Sequence, residues 1–579
     1  MISDNKKSIL QLIIIFIISL AFCGGYYEYI SAIIGAFLAV YVIVYCQKFS
    51  IYRAESKIKS CKNFFEKYDY IVVTAFISFM YFITSIYAVD TGMALTGAIK
   101  KSAPLLFAIS LLALNRDDRQ KIIGKLPEIA SLLTIAAAVC ALIPVLRPYI
   151  ITAGRFCGTF GYANTYALFI LLALIVLLET FNQKKSYVNI IITVILLSGM
   201  WFSGSRYTWV LTFICLIIYA FHKKEMRKYT SIVIAVLAAA TILAGVLFKN
   251  SETIGRFFST NLSTLYGRFL YWQDGLMLAV KHPFGMGYLG YYYKETQIQT
   301  GVYTVRFVHN DWLQLMLDTG FIPFLIIAVF LIKVLCSKSY KFINKLLIFT
   351  IAVHSFMEFD MEHTGIVFIL LILLSCKEET KKENLPDKNT KPKELEASIS
   401  TKPIAIILGI LCIYFSIPLC LYAVGKNKSA AMIYPIYTDA QLANLSSEKD
   451  YDKASQIADK ILSQNDTAFL AYDAKAMVAW NKLDYEGMVH YKKEAIKRNK
   501  FDYNEYTDYL VMLNEALSYY LDNEDDISAM KVVSDMKELL TIIKENKSKV
   551  SRLGKMIDDK VKIDLPDDIV SQIEALGEK

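Results

Sequence analysis

The sequence predicts an all-α fold: a polytopic membrane helix bundle of about thirteen spans, followed by a helical C-terminal domain. Three observations predict it. Hydrophobic residues make up 55% of the 579 residues and charged residues 20%, where globular chains have about 45–50% and 25%. The apolar excess is gathered into runs fit to cross a bilayer, which takes about 20 helical residues. Lys and Arg concentrate in alternate loops, as the positive-inside rule requires.

The spans fall near 8–23, 29–46, 69–88, 102–114, 126–146, 163–181, 187–202, 207–221, 229–248, 312–335, 344–357, 363–376 and 403–424. The first is no cleavable signal, because no small-residue cleavage site follows it and a second span comes at once. With a cytoplasmic N-terminus, the short inner segments carry 27 basic residues and the short outer loops 5. Residues 1–376 are then the membrane core, with a large outer loop at 249–311. Residues 377–402 form a charged cytoplasmic linker, 403–424 the final span, and 425–579 an outer helical domain. Within that domain Tyr451–Asn465 and Thr467–Lys482 carry apolar residues at helical spacing. The stretch from Ala479 to Glu486 resembles a tetratricopeptide repeat, with an irregular helical stack as the alternative.

The formal charge of +9 divides unevenly. Residues 1–424 hold 40 basic and 25 acidic residues, and residues 425–579 hold 22 and 28. The positive excess belongs to the membrane half, where it sets orientation, so nucleic acid is not indicated. Most of the ten cysteines lie in apolar spans and no C-x-x-C pair occurs, which argues against disulfides and thiolate metal sites.

Polar residues at the outer ends of spans are costly and mark function. Arg155 precedes Asn164 in a glycine-rich segment, Arg206 closes Ser203-Gly204-Ser205-Arg206, and Arg268 lies in Gly267-Arg268-Phe269-Leu270-Tyr271-Trp272. His282-Pro283-Phe284-Gly285-Met286-Gly287 reads as a turn, and His309-Asn310-Asp311 opens the tenth span. All fall on the outer side. Guanidinium groups offer forked donors matched to phosphate oxygens, and a histidine can take a proton from a hydroxyl near neutral pH. That set suits transfer from a phosphorylated lipid carrier. Each residue also has a structural alternative: Arg206 snorkelling to the interface, Arg268 as an ordinary loop arginine, His309 and its neighbours as a helix cap. His354, Glu358, Asp360, Glu362 and His363 form a loose acid–histidine cluster, and Tyr288 with Tyr291-Tyr292-Tyr293 reads as an aromatic belt.

Taken in order from about 155 to 320, these segments resemble the O-antigen ligase-like family of membrane glycosyltransferases. The resemblance implies a GT-C-like bundle in the bacterial cytoplasmic (inner) membrane. It implies transfer of a glycan from an undecaprenyl-pyrophosphate donor to an acceptor hydroxyl on the extracytoplasmic face, by a ligase or a polysaccharide polymerase. The acceptor is a glycan, lipid or protein, and neither a cofactor nor a metal is implied. The catalytic residues carried over are Arg206 and Arg268, on the pyrophosphate, and His309, on the acceptor hydroxyl. Substrate-binding residues are Arg155, Asn164, Tyr271, Trp272 and Asn310. Ala163 stands where the family often has proline, and the tail is an addition that could engage a partner protein or a long glycan. A transporter or flippase of lipid-linked oligosaccharide is the alternative, but such proteins place charge in a midplane cavity between repeats. A protein O-oligosaccharyltransferase and an inert scaffold for the tail complete the readings.

Overall fold

The computed structural model describes residues 2–46, 48–51, 64–183, 187–223, 262–378, 397–557 and 560–576. The expected ninth span at 229–248 and most of the linker lie outside the described residues. The apolar half begins with α1 (Ile2–Ala21), α2 (Glu28–Tyr45), α3 (Asp69–Ser85), α4 (Thr91–Ser110) and α5 (Arg116–Gly124). It continues with α6 (Leu126–Cys140), α7 (Ala163–Gln183), α8 (Tyr187–Ser203) and α9 (Arg206–His222). Helices α10 (Ser263–Lys281) and α11 (Gly290–Ile298) lie in the large loop. Helices α12 (Asp311–Thr319), α13 (Phe321–Cys336), α14 (Phe342–His354), α15 (Thr364–Ser375) and α16 (Lys402–Ala423) complete this half. Two small antiparallel pairings occur: β1 (Lys48–Ile51) with β4 (Ala397–Ser400), and β2 (Ile151–Thr152) with β3 (Arg155–Phe156).

Four described helices are by themselves long and apolar enough to cross a membrane: Glu28–Tyr45, Thr91–Ala113, Ala163–Thr180 and Lys402–Ala423. Helices α5 and α6, bent by 41° at their junction, make a fifth if taken as one span. Seven more apolar helices are shorter, so the thirteen spans expected from hydropathy exceed the helices that meet the length unaided. Two boundaries also move. The outer stretch expected at 89–101, between the third and fourth spans, becomes helix: α4 opens at Thr91, where the Asp90 carboxylate caps it by accepting from the Met93 amide at 2.8 Å. The tenth span breaks at Gly320, whose φ of 92° only glycine adopts freely. The His282–Gly287 turn fills that break, its Met286 amide donating to the Leu317 carbonyl at 2.7 Å and its Gly287 amide to Asp318 at 3.0 Å.

Helix α7 sits at the centre, with Tyr166 through Leu172 all at 1% exposure or less, as befits a helix apolar on every face. Helices α2 and α16 approach closely along small residues: a Cβ on Gly35 would meet the Cys412 Sγ at 2.7 Å, and one on Gly409 the Ala39 Cβ at 2.8 Å. Association in lipid depends on such contact because hydrocarbon already solvates apolar faces.

The tail is helical, as its periodicity predicts: α17 (Asn427–Ile433), α18 (Thr438–Leu445), α19 (Tyr451–Gln464), α20 (Phe469–Asn481), α21 (Tyr485–Arg498), α22 (Tyr503–Asp522), α23 (Asp526–Ser548) and α24 (Asp567–Ala575). Asp450, Asp484, Asp502 and Asp525 cap four of these helices through side-chain bonds to backbone amides. The tail rests on the membrane half: Asn465 Nδ2 donates to Asp90 Oδ2 at 2.9 Å and the Tyr434 hydroxyl to the Gly92 carbonyl at 2.8 Å. It therefore lies at the same end of the bundle as the N-terminus of α4 and the loop helices.

The tyrosine belt does not form. Tyr288, Tyr291 and Tyr293 are buried, with hydroxyls bound to Glu28, Tyr303 and Asp439 respectively. Their consecutive spacing predicted aromatic character but carried no information on which surface would cover them.

Candidate active site

The site is built on the loop between α14 and α15, residues 355–363. Two acids four positions apart, Glu358 and Glu362, are buried in it. Glu358 accepts from Asn164 Nδ2 at 2.6 Å, from the Tyr162 hydroxyl at 2.6 Å and from Arg268 Nη2. His309 Nδ1 stands 3.5 Å from its other oxygen. Asn164 also donates to the Tyr162 hydroxyl at 3.0 Å, and its own oxygen accepts from Arg155 Nη2 at 2.5 Å. Three distant stretches of chain thus meet at one carboxylate. Burial alone would raise the pKa of Glu358, but Arg268 and the hydrogen bond from His309 hold it down to about 2. It is an anion at any physiological pH. The same pairing raises Arg268 further above its ordinary value, against the effect of burial.

Local structure explains how each side chain arrives. Ala153 and Gly154 both have positive φ, which closes the β2–β3 turn and sends Arg155 back over the bundle. Arg155 Nε donates to the Ser203 carbonyl at 2.7 Å, tying this hairpin to the end of α8. His309 holds a φ of 52°, a conformation costing a β-carbon residue roughly 1 kcal/mol or more. Its neighbours fix it there: Trp272 Nε1 donates to the His309 carbonyl at 3.3 Å, and Asn310 caps α12 by accepting from the Leu313 amide at 3.0 Å. The ring lies 4.9 Å from Phe359 and 5.9 Å from Tyr271, centroid to centroid.

Of the residues expected from sequence, Arg155, Asn164, Arg268 and His309 come together, with Tyr271 and Trp272 against His309. Asn310 departs from expectation, since its side-chain oxygen is committed to the helix cap. Arg206 opens α9 at the same end, three residues after Ser203, whose carbonyl receives Arg155. Its turn is anchored by Thr208 Oγ1, 3.1 Å from His354 Nε2, and His354 Nδ1 in turn lies 2.6 Å from Asp360. The acid–histidine cluster therefore does not converge. Asp360 pairs with His354, Glu358 with Arg268, and Glu362 with Lys100 and Lys101 at 2.8 and 2.6 Å. Sequence reasoning passed over Tyr162 and placed Glu358 only in the loose acid–histidine cluster. The available signal was Glu358 itself, a carboxylate in a short loop between apolar runs.

Residues 191–328 match the family model described as O-antigen ligase. That stretch of the chain is similar to the O-antigen ligase family. The matched stretch includes Arg206, Arg268, Tyr271, Trp272 and His309, whereas Arg155, Tyr162, Asn164 and Glu358 come from outside it. No curated protein and no solved structure matches the chain.

Proposed function

We propose that this protein transfers a glycan from an undecaprenyl-pyrophosphate carrier to an acceptor hydroxyl at the extracytoplasmic face of a bacterial membrane, without a metal. The observation that carries the reading is the meeting of Arg268, His309, Asn164 and Tyr162 at the buried Glu358. In the reaction the acceptor oxygen attacks the anomeric carbon while the bond from that carbon to the pyrophosphate oxygen breaks. The electron pair leaves on the pyrophosphate, where Arg268, with Arg155 and Arg206 at the same end, meets the developing charge. The acceptor proton passes to His309 Nε2. Glu358 accepts the Nδ1 hydrogen, selects the tautomer and steadies the imidazolium that forms, as an orienting carboxylate does in a triad. With its pKa held near 2, Glu358 is too weak a base to take the proton itself.

An apolar cavity of about 170 Å³ lies under the same loop, bounded by Thr74, Pro104, Phe330, Ile348 and Leu371 and reaching Ser355 at its polar end. Its lining suits an isoprenoid chain beneath a headgroup held by the loop. The test is transfer of lipid-linked glycan in membranes carrying Arg268→Ala or His309→Ala. Each is expected to lower transfer by roughly 100-fold or more. Near-normal transfer by both, at normal abundance, would overturn the assignment.

A further inference from the structure

We infer that the stretch from Ser551 to Ile557, near the end of the tail, is a positioning element that seats helix α10 so that Arg268 faces Glu358. The inference rests on the pyrophosphate reading above and adds a role for the tail within it.

The contact is backbone against backbone. The Ser551 amide donates to the Thr300 carbonyl at 2.8 Å. A Cβ on Gly554 would come within 2.5 Å of that same carbonyl oxygen, and one on Gly301 within 2.7 Å of the Gly554 Cα. Backbone atoms cannot swing aside as a flexible side chain can, so the two strands fit in one arrangement. From there the hold passes to α10. Asp274 accepts from the Thr300 amide and from its hydroxyl, both at 2.8 Å, and from the Tyr303 hydroxyl at 3.0 Å. Ile557 and Leu553 pack in one cluster with Leu270, Tyr271 and Trp272. A second tie comes from Lys500 Nζ, which donates to the Gln297 carbonyl at 2.9 Å.

Leu270 and Asp274 lie on the buried side of α10. Arg268 is six residues from Asp274, about 9 Å along a rigid helix, so displacing the clamped side displaces the guanidinium. Tyr271 and Trp272, which flank Leu270, border His309. The tail thus acts on the site through α10, without touching the reacting groups.

The experiment uses the full-length protein in detergent, with undecaprenyl pyrophosphate alone as the probe. Gly554→Val is expected to weaken binding about tenfold or more, the loss typical for a hydrogen bond to a charged group. In an Arg268→Ala background it is expected to add nothing, because the groups act in series. Gly554→Ala places one methyl against the same carbonyl and serves if the valine variant does not accumulate. Exchange of the exposed Ile527 for Ala, elsewhere on the tail, is expected to leave binding unchanged. Wild-type affinity in both Gly554 variants overturns the inference, as does an undiminished effect in the Arg268→Ala background. Unchanged affinity in Arg268→Ala alone instead overturns the pyrophosphate reading, so the two failures are told apart.

Discussion

Replacing Glu358 by Gln tests the site most directly, because it keeps size and hydrogen-bonding shape while removing one charge. Glu358 is fully buried, and its pKa lies near 2 where an ordinary glutamate has 4.5. The folded state therefore strongly prefers the charged form. The variant also leaves Arg268, whose side chain is 18% exposed, beside a neutral amide. Breaking a buried pair by removing one partner costs about 3–5 kcal/mol, partly relieved here by that exposure. Thermal unfolding of the purified variant should therefore occur well below that of the wild type. Glycan transfer should fall by more, since exchanging the orienting carboxylate of a carboxylate–histidine pair costs about 10⁴ in rate. The double variant Glu358→Gln, Arg268→Ala should regain part of the thermal stability but none of the transfer, which separates folding from chemistry. Wild-type unfolding together with more than a tenth of wild-type transfer would refute the reasoning.

Three further outcomes follow from the same geometry. Acid should destabilise the fold in a defined window. Glu358 and Glu362 both have folded-state pKa values lowered to about 2, so the stability they contribute is present above their unfolded value of 4.5 and is lost as pH falls toward 2. Unfolding followed by intrinsic fluorescence should show that loss, and it should shrink in Glu358→Gln. Trp272→Phe removes the indole donor to the His309 carbonyl while keeping an aromatic ring. Transfer should fall several-fold with unfolding temperature nearly unchanged, since one neutral hydrogen bond contributes about 1 kcal/mol; equal transfer would show that the carbonyl needs no tether. Lys100→Met removes one of two lysines on Glu362 and should lower stability by about 3 kcal/mol, and the unfolding temperature with it. Adding Glu362→Gln should restore part of it, and a variant as stable as wild type would contradict the pairing.

Much of this was legible in the sequence and some was not, for reasons that are physical. Apolar runs identify α2, α7 and α16, and helical spacing marks α19 and α20 in the tail. The arginines and the histidine at span ends were visible because charge beside lipid is conspicuous. Lys100 and Lys101 were read as loop because hydropathy charges a lysine the full cost of its ammonium group and is blind to a carboxylate 262 residues away. The break at Gly320 was hidden for a similar reason, since the turn that fills it comes from the preceding loop. Glu358 was grouped with its sequence neighbours, whereas its partners come from Tyr162, Asn164, Arg268 and His309. Pairing across the chain is what a linear reading lacks.

Glu358 and Glu362 show why pairing alone does not define a site. Both sit in one loop, both are fully buried, and cations lower both to about the same pKa. Their surroundings differ. Glu362 is closed in by Lys100 and Lys101, whose side chains are 2% and 12% exposed, and by the Tyr288 hydroxyl at 3.2 Å. The Lys100 ammonium also stands 5.1 Å over the Tyr26 ring, so aromatic faces take up what the carboxylate leaves. Such a group braces α4 against the loop, and it meets open space where Lys101 and Glu362 border the apolar cavity. Glu358 carries its cation and its histidine on the open side, 18% and 20% exposed, with strain at His309 and a tether from Trp272 that the lysine group has no counterpart for. A guanidinium retains donors after one bond to a carboxylate, whereas an ammonium between a carboxylate, a hydroxyl and aromatic rings has none to spare. In the proposed reaction the accessible arginine and histidine on a buried anion receive the phosphorylated donor and the hydroxyl acceptor, and the lysines on Glu362 hold the loop that presents them.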